Sequence, residues 1–367
     1  MMLALTTAIP SVAQDANSKR IEGTILDAQT LSPLGGVHVF LASRLQGTTT
    51  DANGKFVLEN VLPGSYKVVA SIIGYNPESV IIEILPDQEP GNVAIRLKSA
   101  VYELEGVTVV EEKPKQWKKQ LERFEQLFLG TSYNAKESKI LNDYVLSFRD
   151  EEGVFEAFAS EPLEIENHGL GYELTFVLDQ FRHEEEDQLK YTLGTWVFKE
   201  MEPKNEKQKK LWDEQREYMF KGSLQHLLWS MINLKTNEEG FFLLRDNSKF
   251  ALAPEPFLRK YHPLDERTIL RKTPKPYEFK MAFTDFIRVY YERTGDKVKL
   301  FSKRKPPPVE QLSYMKMNRS GEATVHESGY LYSPAGVASA ITVFGYLASR
   351  GVADLLPQEY ALQREAL

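Results

Sequence analysis

Thr50-Asp51-Ala52-Asn53-Gly54-Lys55-Phe56 is the stretch on which the fold turns. Asn-Gly ahead of strand-forming residues signals a tight hairpin, because the pair accepts the positive φ angles that such a turn demands. Before it, Ile21–Leu26 and Val37–Leu41 read as strands, separated by a turn at Thr30–Gly36 that holds Pro33, Gly35 and Gly36. After it come Phe56–Leu58, a Pro63-Gly64 turn, Tyr66–Ile73, a Gly74-Tyr75-Asn76-Pro77 turn, Ser79–Leu85 and Asn92–Leu97. About seven short strands at regular spacing predict a β-sandwich. Asp51-x-Asn53-Gly54 also opens like a calcium loop. It lacks the later oxygen ligands and the closing Glu, so the hairpin is the reading kept.

The residues in these turns carry a family resemblance. Ile21-x-Gly23-x-Ile25, Pro33-Leu34-x-Gly36-Val37-x-Val39, Thr50-Asp51-x-Asn53-Gly54-x-Phe56, Pro63-Gly64-x-Tyr66 and Gly74-Tyr75 follow one another in order. Together they resemble the carboxypeptidase regulatory-like (transthyretin-like) domain. Leu104-Glu105-Gly106-Val107-Thr108-Val109-Val110 resembles the segment that follows this module in outer-membrane transporters. The resemblance implies a sandwich fold and a place among Bacteroidetes cell-envelope proteins. Farther on, Ala159-x-x-Pro162-Leu163-x-Ile165-x-Asn167-x-x-Leu170-Gly171-Tyr172 and Asp354-Leu355-Leu356-Pro357-x-Glu359-Tyr360 resemble stretches of uncharacterised proteins of the same group.

The chain has 367 residues, enough for two domains. Apolar residues make up 42% and charged residues 26%, a composition that folds. The net charge of -7, from 45 basic and 52 acidic residues, argues against nucleic acid as a partner. With no cysteine, disulfides, thiolate metal sites and lipidated N-terminal cysteines are excluded. Met1–Ala13 carries no charged side chain and ends in Ser11-x-Ala13, spaced for signal-peptidase cleavage near Gln14. It is too short to span a bilayer, and Ala335–Leu347 is short and broken by glycine.

Glu111–Lys115, with Pro114, reads as a charged linker. Trp117, Leu121, Phe124 and Phe128 then recur at helical spacing, ending at Gly130, and form a stripe that docks on the second domain. Long strands follow at Tyr144–Phe148, Val154–Ser160, Tyr172–Phe181 and Gln188–Phe198, with Tyr172, Leu174, Phe176 and Leu178 on one face. Asn205–Leu234 reads as helix, broken near Gly222-Ser223, and further strands are expected at Gly240–Leu244, Tyr277–Phe283, Ile287–Glu292 and Thr324–Glu327. Pro306-Pro307-Pro308 is a stiff connector. The fold class expected is β-rich and multidomain. A leader at 1–19 precedes a transthyretin-like β-sandwich at 20–100 and a linker at 101–114. An α+β domain with a long antiparallel sheet and a few helices fills 115–367.

His183-Glu184-Glu185-Glu186 fits the His-x-x-Glu of zinc carboxypeptidases, and His326 lies downstream. The acidic run around His183 predicts a solvated hairpin instead. The sequence has no Gly-x-Ser-x-Gly elbow, Walker loop or Rossmann fingerprint. Carboxylate pairs such as Glu151-Glu152 and Glu164/Glu166 read as acidic surface, and His226 as a packed helical residue. Tyr330, Tyr332 and Tyr346 suit either core packing or a sugar- or peptide-binding surface. No catalytic, ligand-binding or metal residue is assigned, and no cofactor. The function expected is a non-catalytic binding or scaffold protein of the envelope, its partners other envelope proteins or an extracellular polymer. The alternatives are a hydrolase with a metal or carboxylate site, and a partner-dependent subunit of an outer-membrane complex that docks through the Trp117–Phe128 helix.

Overall fold

A computed structural model of the chain describes residues 18–100, 115–186, 189–246, 262–284, 286–292, 312–318, 321–332 and 340–365. The expected cleavage site, the 101–114 linker and Pro306-Pro307-Pro308 lie outside them. The chain is β-rich, with an N-terminal β-sandwich. It divides into two units, one holding residues up to 40 and 47–100, the other residues 41–46 and 101–367.

The first unit contains β1 (Lys19–Asp27), β2 (His38–Leu41), β3 (Gly47–Thr49), β4 (Lys55–Val61), β5 (Gly64–Ser71), β6 (Glu78–Ile84) and β7 (Val93–Leu97). They form two sheets, ordered β4-β1-β7 and β3-β2-β5-β6. Alternating residues bury Ile21, Ile25, Phe56, Leu58, Tyr66, Val68 and Ile95. The hairpin turn differs from the Asn-Gly expectation. Gly54 alone of that pair takes positive φ, at 71°, and a Cβ there would lie 2.5 Å from the Ile25 carbonyl. The Asp51 carboxylate shapes the turn by accepting from the Asn53 and Lys55 N–H groups at 2.9 and 2.8 Å.

The second unit opens with α1 (Lys115–Phe128) and the short α2 (Tyr133–Lys136). A six-stranded sheet follows: β8 (Ser138–Ile140), β9 (Leu146–Glu151), β10 (Val154–Ala159), β11 (Leu163–Asn167), β12 (Tyr172–Glu184) and β13 (Leu189–Glu200). β13 pairs with β12 over its whole length, while β11 and then β10 share the other edge. The β12–β13 register slips at Asp179, between Leu178 and Gln180. This bulge hands the inward face from even to odd residues: Tyr172, Leu174 and Phe176 are buried before it, Phe181 and His183 after it. Leu178, expected on the buried face, is only half-buried at the changeover.

Next come α3 (Glu206–Phe220) and α4 (Leu224–Ile232), capped at their N-termini by Asn205 and Ser223. A five-stranded sheet orders β15 (His262–Pro263), β14 (Phe241–Asp246), β18 (Phe286–Tyr291), β19 (Leu312–Met317) and β22 (Ile341–Gly345). A four-stranded sheet orders β16 (Leu270–Lys272), β17 (Glu278–Met281), β20 (Ala323–His326) and β21 (Leu331–Tyr332). Leu227, Leu228 and Met231 of α4 share a core with Phe241, Val289, Met315 and Val325 of these sheets. α5 (Tyr360–Glu365) places Ala361 against Phe220 and Trp229.

The stripe on α1 is buried within its own chain. Phe124 stacks on Phe128 at 4.8 Å and meets Phe181 edge-on at 4.9 Å, while Phe128 meets Phe176 at 5.1 Å. Trp117 Nε1 donates to the Leu146 carbonyl at 3.0 Å. The face considered for a partner is therefore occupied by the six-stranded sheet. Phe124→Ala should lower stability by about 3–5 kcal/mol in urea unfolding, the cost of emptying a fully buried aromatic site.

Candidate functional site

The residues singled out in the sequence are dispersed. His183 lies on β12 opposite Phe155 and Lys190, and His326 lies on β20 in a different sheet. His183 is not on a solvated hairpin. The Asp179 bulge turns it inward, where it is 8% exposed, and burial pushes its pKa down, helped by Arg123. Glu184–Glu186 do continue into the acidic turn, but they are taken in part by arginines. Glu185 pairs with Arg123 at 2.7 Å and Glu184 with Arg182 at 2.9 Å. Among the described residues no three His, Asp or Glu side chains are grouped to hold a metal ion.

His226 sits at the start of α4, just past its Ser223 cap, and is fully buried. Its Nδ1 accepts from the Gly222 N–H at 3.0 Å, so the ring proton belongs on Nε2, which donates to Glu239 at 3.0 Å. Both nitrogens are thus engaged. Phe220 and Phe241 close over the ring at 4.8 and 4.9 Å. Arg364 joins from α5, 3.1 Å from Glu217 and lying over the rings of Phe220 and Trp229. Burial holds His226 down at about 4, against the opposing pull of Glu239.

His326 is engaged in a different way. Its Nδ1 accepts from the backbone N–H of Ser328 at 3.1 Å, with the Ser328 hydroxyl at 2.9 Å. Ser328 is wholly buried, so this Ser–His contact is closed to a substrate. Burial and then the nearby Arg44 push His326 down to about 3. The three tyrosines considered for stacking on a ligand are used in packing. Tyr332 meets His326 edge-on at 6.0 Å and Tyr330 at 6.4 Å, and Tyr346 stacks on Tyr291 at 6.2 Å. The Tyr330 hydroxyl pairs with Ser43 at 2.7 Å.

A third polar cluster joins the two strings that resemble uncharacterised proteins. Asn167 Nδ2 donates to the Ala353 carbonyl at 2.8 Å, while its Oδ1 accepts from the Leu170 N–H at 3.0 Å. The adjacent Asp354 accepts from Ser132 Oγ at 2.7 Å and from Asn134 Nδ2 at 3.0 Å. Arg216 clamps the following turn, with Nε on the Leu170 carbonyl at 2.8 Å and its guanidinium 4.1 Å over Tyr172. Sequence reasoning assigned no role to Asp354, Ser132, Arg216, Arg364 or Glu239, whose roles appear only once distant strands meet. Chemically, these clusters fix geometry: their donors and acceptors face one another, with Asn134 Oδ1 the exception.

Both His226 and His326 stay neutral in the fold at a pH where the unfolded chain takes up protons, near 6.5. Stability should therefore be flat above pH 6.5 and fall as pH drops toward 4, by on the order of 2–3 kcal/mol for His226 alone. Urea unfolding at stepped pH checks this, and His226→Gln should flatten the decline without altering its onset.

Residues 21–109 match the CarboxypepD_reg-like domain. No curated protein matches the chain in sequence. Solved structures similar to parts of it include a cohesin–X-dockerin complex from Acetivibrio cellulolyticus, at 21% identity over 21% of this chain and TM-score 0.18. Two others bear only proposed descriptions. A carbohydrate binding protein from Bacteroides uniformis shows 13% identity over 44% of this chain, and a membrane-associated protein of unknown function from Bacteroides fragilis 14% over 44%, both with TM-score 0.18. The chain spans 51%, 61% and 64% of these three structures, and at such TM-scores none bears on its function. No described helix is long and apolar enough to cross a membrane. The first part of the chain thus carries a CarboxypepD_reg-like sandwich.

Proposed function

We propose that this chain is a non-catalytic binding or scaffold protein, exported to the periplasm or outer-membrane surface of a Bacteroidetes-type cell envelope. The sandwich at 20–100 is a stable spacer or docking module, 101–114 a linker, and 115–367 the part that presents the specific surface. Its partners are other envelope proteins or an extracellular polymer. The observation that carries this reading is the engagement of both His226 ring nitrogens by Gly222 and Glu239, with the His326 Nδ1 likewise taken by Ser328. A histidine acting as base or metal ligand needs a nitrogen facing the reacting group. The carboxypeptidase regulatory-like match supports the compartment, as does the Ser11-x-Ala13 cleavage pattern.

Metal analysis tests the chemistry. Protein purified without chelator or a metal-affinity step should carry no stoichiometric zinc. Near-equimolar zinc, lost on His183→Ala or His326→Ala, would replace the scaffold reading with a metal hydrolase. N-terminal sequencing of protein from its native host tests the compartment: a mature terminus near Gln14 is expected, and an intact Met1 on cytosolic protein would refute export.

A further inference from the structure

The edges of the sandwich differ in how they are protected. β3 is three residues long. β4 carries exposed Lys55, Glu59 and Asn60, and its register with β1 shifts between Lys19 and Ile21. β7 exposes Arg96. Short length, charge and bulges all discourage further pairing at a sheet edge. β6 reads Glu78-Ser79-Val80-Ile81-Ile82-Glu83-Ile84 and pairs only with β5 among the described strands. It has no Lys, Arg or Pro, its only charges are Glu78 and Glu83 toward its two ends, its register with β5 is unbroken, and its central Ile81 is 56% exposed. Beside it Val80, Ile82, Pro90, Gly91 and Val93 line an open cleft of about 340 Å³.

We propose that β6 is an interface between two copies of this chain, paired antiparallel about Ile81 so that two four-stranded sheets become one. The sequence of the strand is self-complementary in this register. Ile81 faces Ile81, Val80 faces Ile82, Ser79 faces Glu83 and Glu78 faces Ile84 of the second copy. All seven residues pair, inward residues stay with inward ones, and no carboxylate meets another. A slip of one residue in either direction sets inward residues against outward ones and turns the aliphatic face outward, and in one direction it also sets Glu78 against Glu83. A peptide from another protein would place no such demand on the strand, which is why the second copy is the occupant favoured.

Sedimentation equilibrium of the full chain tests the interface. A monomer–dimer equilibrium is expected for the unaltered protein. Ile81→Lys places like charges face to face and should raise the dissociation constant on the order of tenfold or more. Ile81→Glu, which stands opposite Lys67 on β5, should do the same. Because residue 81 faces itself, an equimolar mixture of Ile81→Lys and Ile81→Glu should recover the dimer. Circular dichroism melts matching the unaltered protein show that both variants fold. A protein that is monomeric at every concentration, a dimer indifferent to Ile81→Lys, or a mixture without recovery would each overturn the proposal.

Discussion

β12, thirteen residues long, keeps one face buried under α1 and both edges paired, and it changes register at Asp179, where a bulge bends the strand and increases its twist. On one side the register with β13 slips by one residue. On the other, residues 154–167 would form one strand opposite β12, but the chain breaks at Ser160–Pro162 into β10 and β11. Proline lacks the N–H that continued pairing would use. Asn142 mends the break, donating to the Pro162 carbonyl at 2.9 Å and accepting from the Glu164 N–H at 2.9 Å. Gly194, opposite Leu178, leaves room for the kink: a Cβ there would sit 2.4 Å from the Phe176 ring. Because both edges change register at one place, Phe176 reaches Phe128 and Phe181 reaches Phe124, and α1 is held along its length.

The same core depends on the C-terminal segment in a second way. Without cysteine the chain has no covalent staple, and the end of the sequence is tied back by buried hydrogen bonds. Val352 and Ala353 enter the α1 core, and Asn167 and Asn134 secure them through the Ala353 carbonyl and the Asp354 carboxylate. Gln225 of α4 holds the Gln358 carbonyl at 2.9 Å, so the next residues bind the helix that organises the smaller sheets. Residues 43–46 of the second unit take part as well: the Ser43 N–H donates to Trp196, Arg44 accepts from Phe198, and the Ser43 carbonyl accepts from the Gln358 N–H. Each buried polar group unpaired here would cost about 1–3 kcal/mol, so the network enforces one arrangement more than it adds net stability.

The legible part of the fold was the part set by local signals. Pro33, Gly54, Pro63-Gly64 and Gly74 punctuate the sandwich, and their neighbours alternate cleanly, so its strands could be placed within a few residues. The α1 stripe was legible for the same reason, as was the break at Gly222-Ser223 between α3 and α4. What escaped was short or conditional on partners far away. β8, β19 and β22 are three to six residues long and find their neighbours only in the folded sheets. β11 escaped as well, because Pro162 breaks the strand pattern ahead of it and hid its continuity with β10. The inward turn of His183 was not legible, because period-two reading from Tyr172 puts every odd residue outside, and nothing local announces a bulge at Asp179.

The histidines show why a motif search and a structure weigh the same residues differently. His-x-x-Glu counts spacing, whereas reactivity depends on which nitrogen is left facing open space. In this fold burial, helped by Arg123, depresses the proton affinity of His183, the histidine of that motif, while burial and hydrogen bonding together claim His226 and His326 as packing groups that resist charge. Charge is instead displayed outside, where Arg149, Glu156, Arg182 and Glu184 form a row across β9, β10 and β12. Exposed ion pairs of this kind contribute at most about 1 kcal/mol each, so the fold does not depend on them. The interior polar groups are therefore constrained by geometry, while the outer face of the same sheet can change its charges and aromatic residues without disturbing what lies beneath. Such a face can vary in sequence without rebuilding the core beneath it.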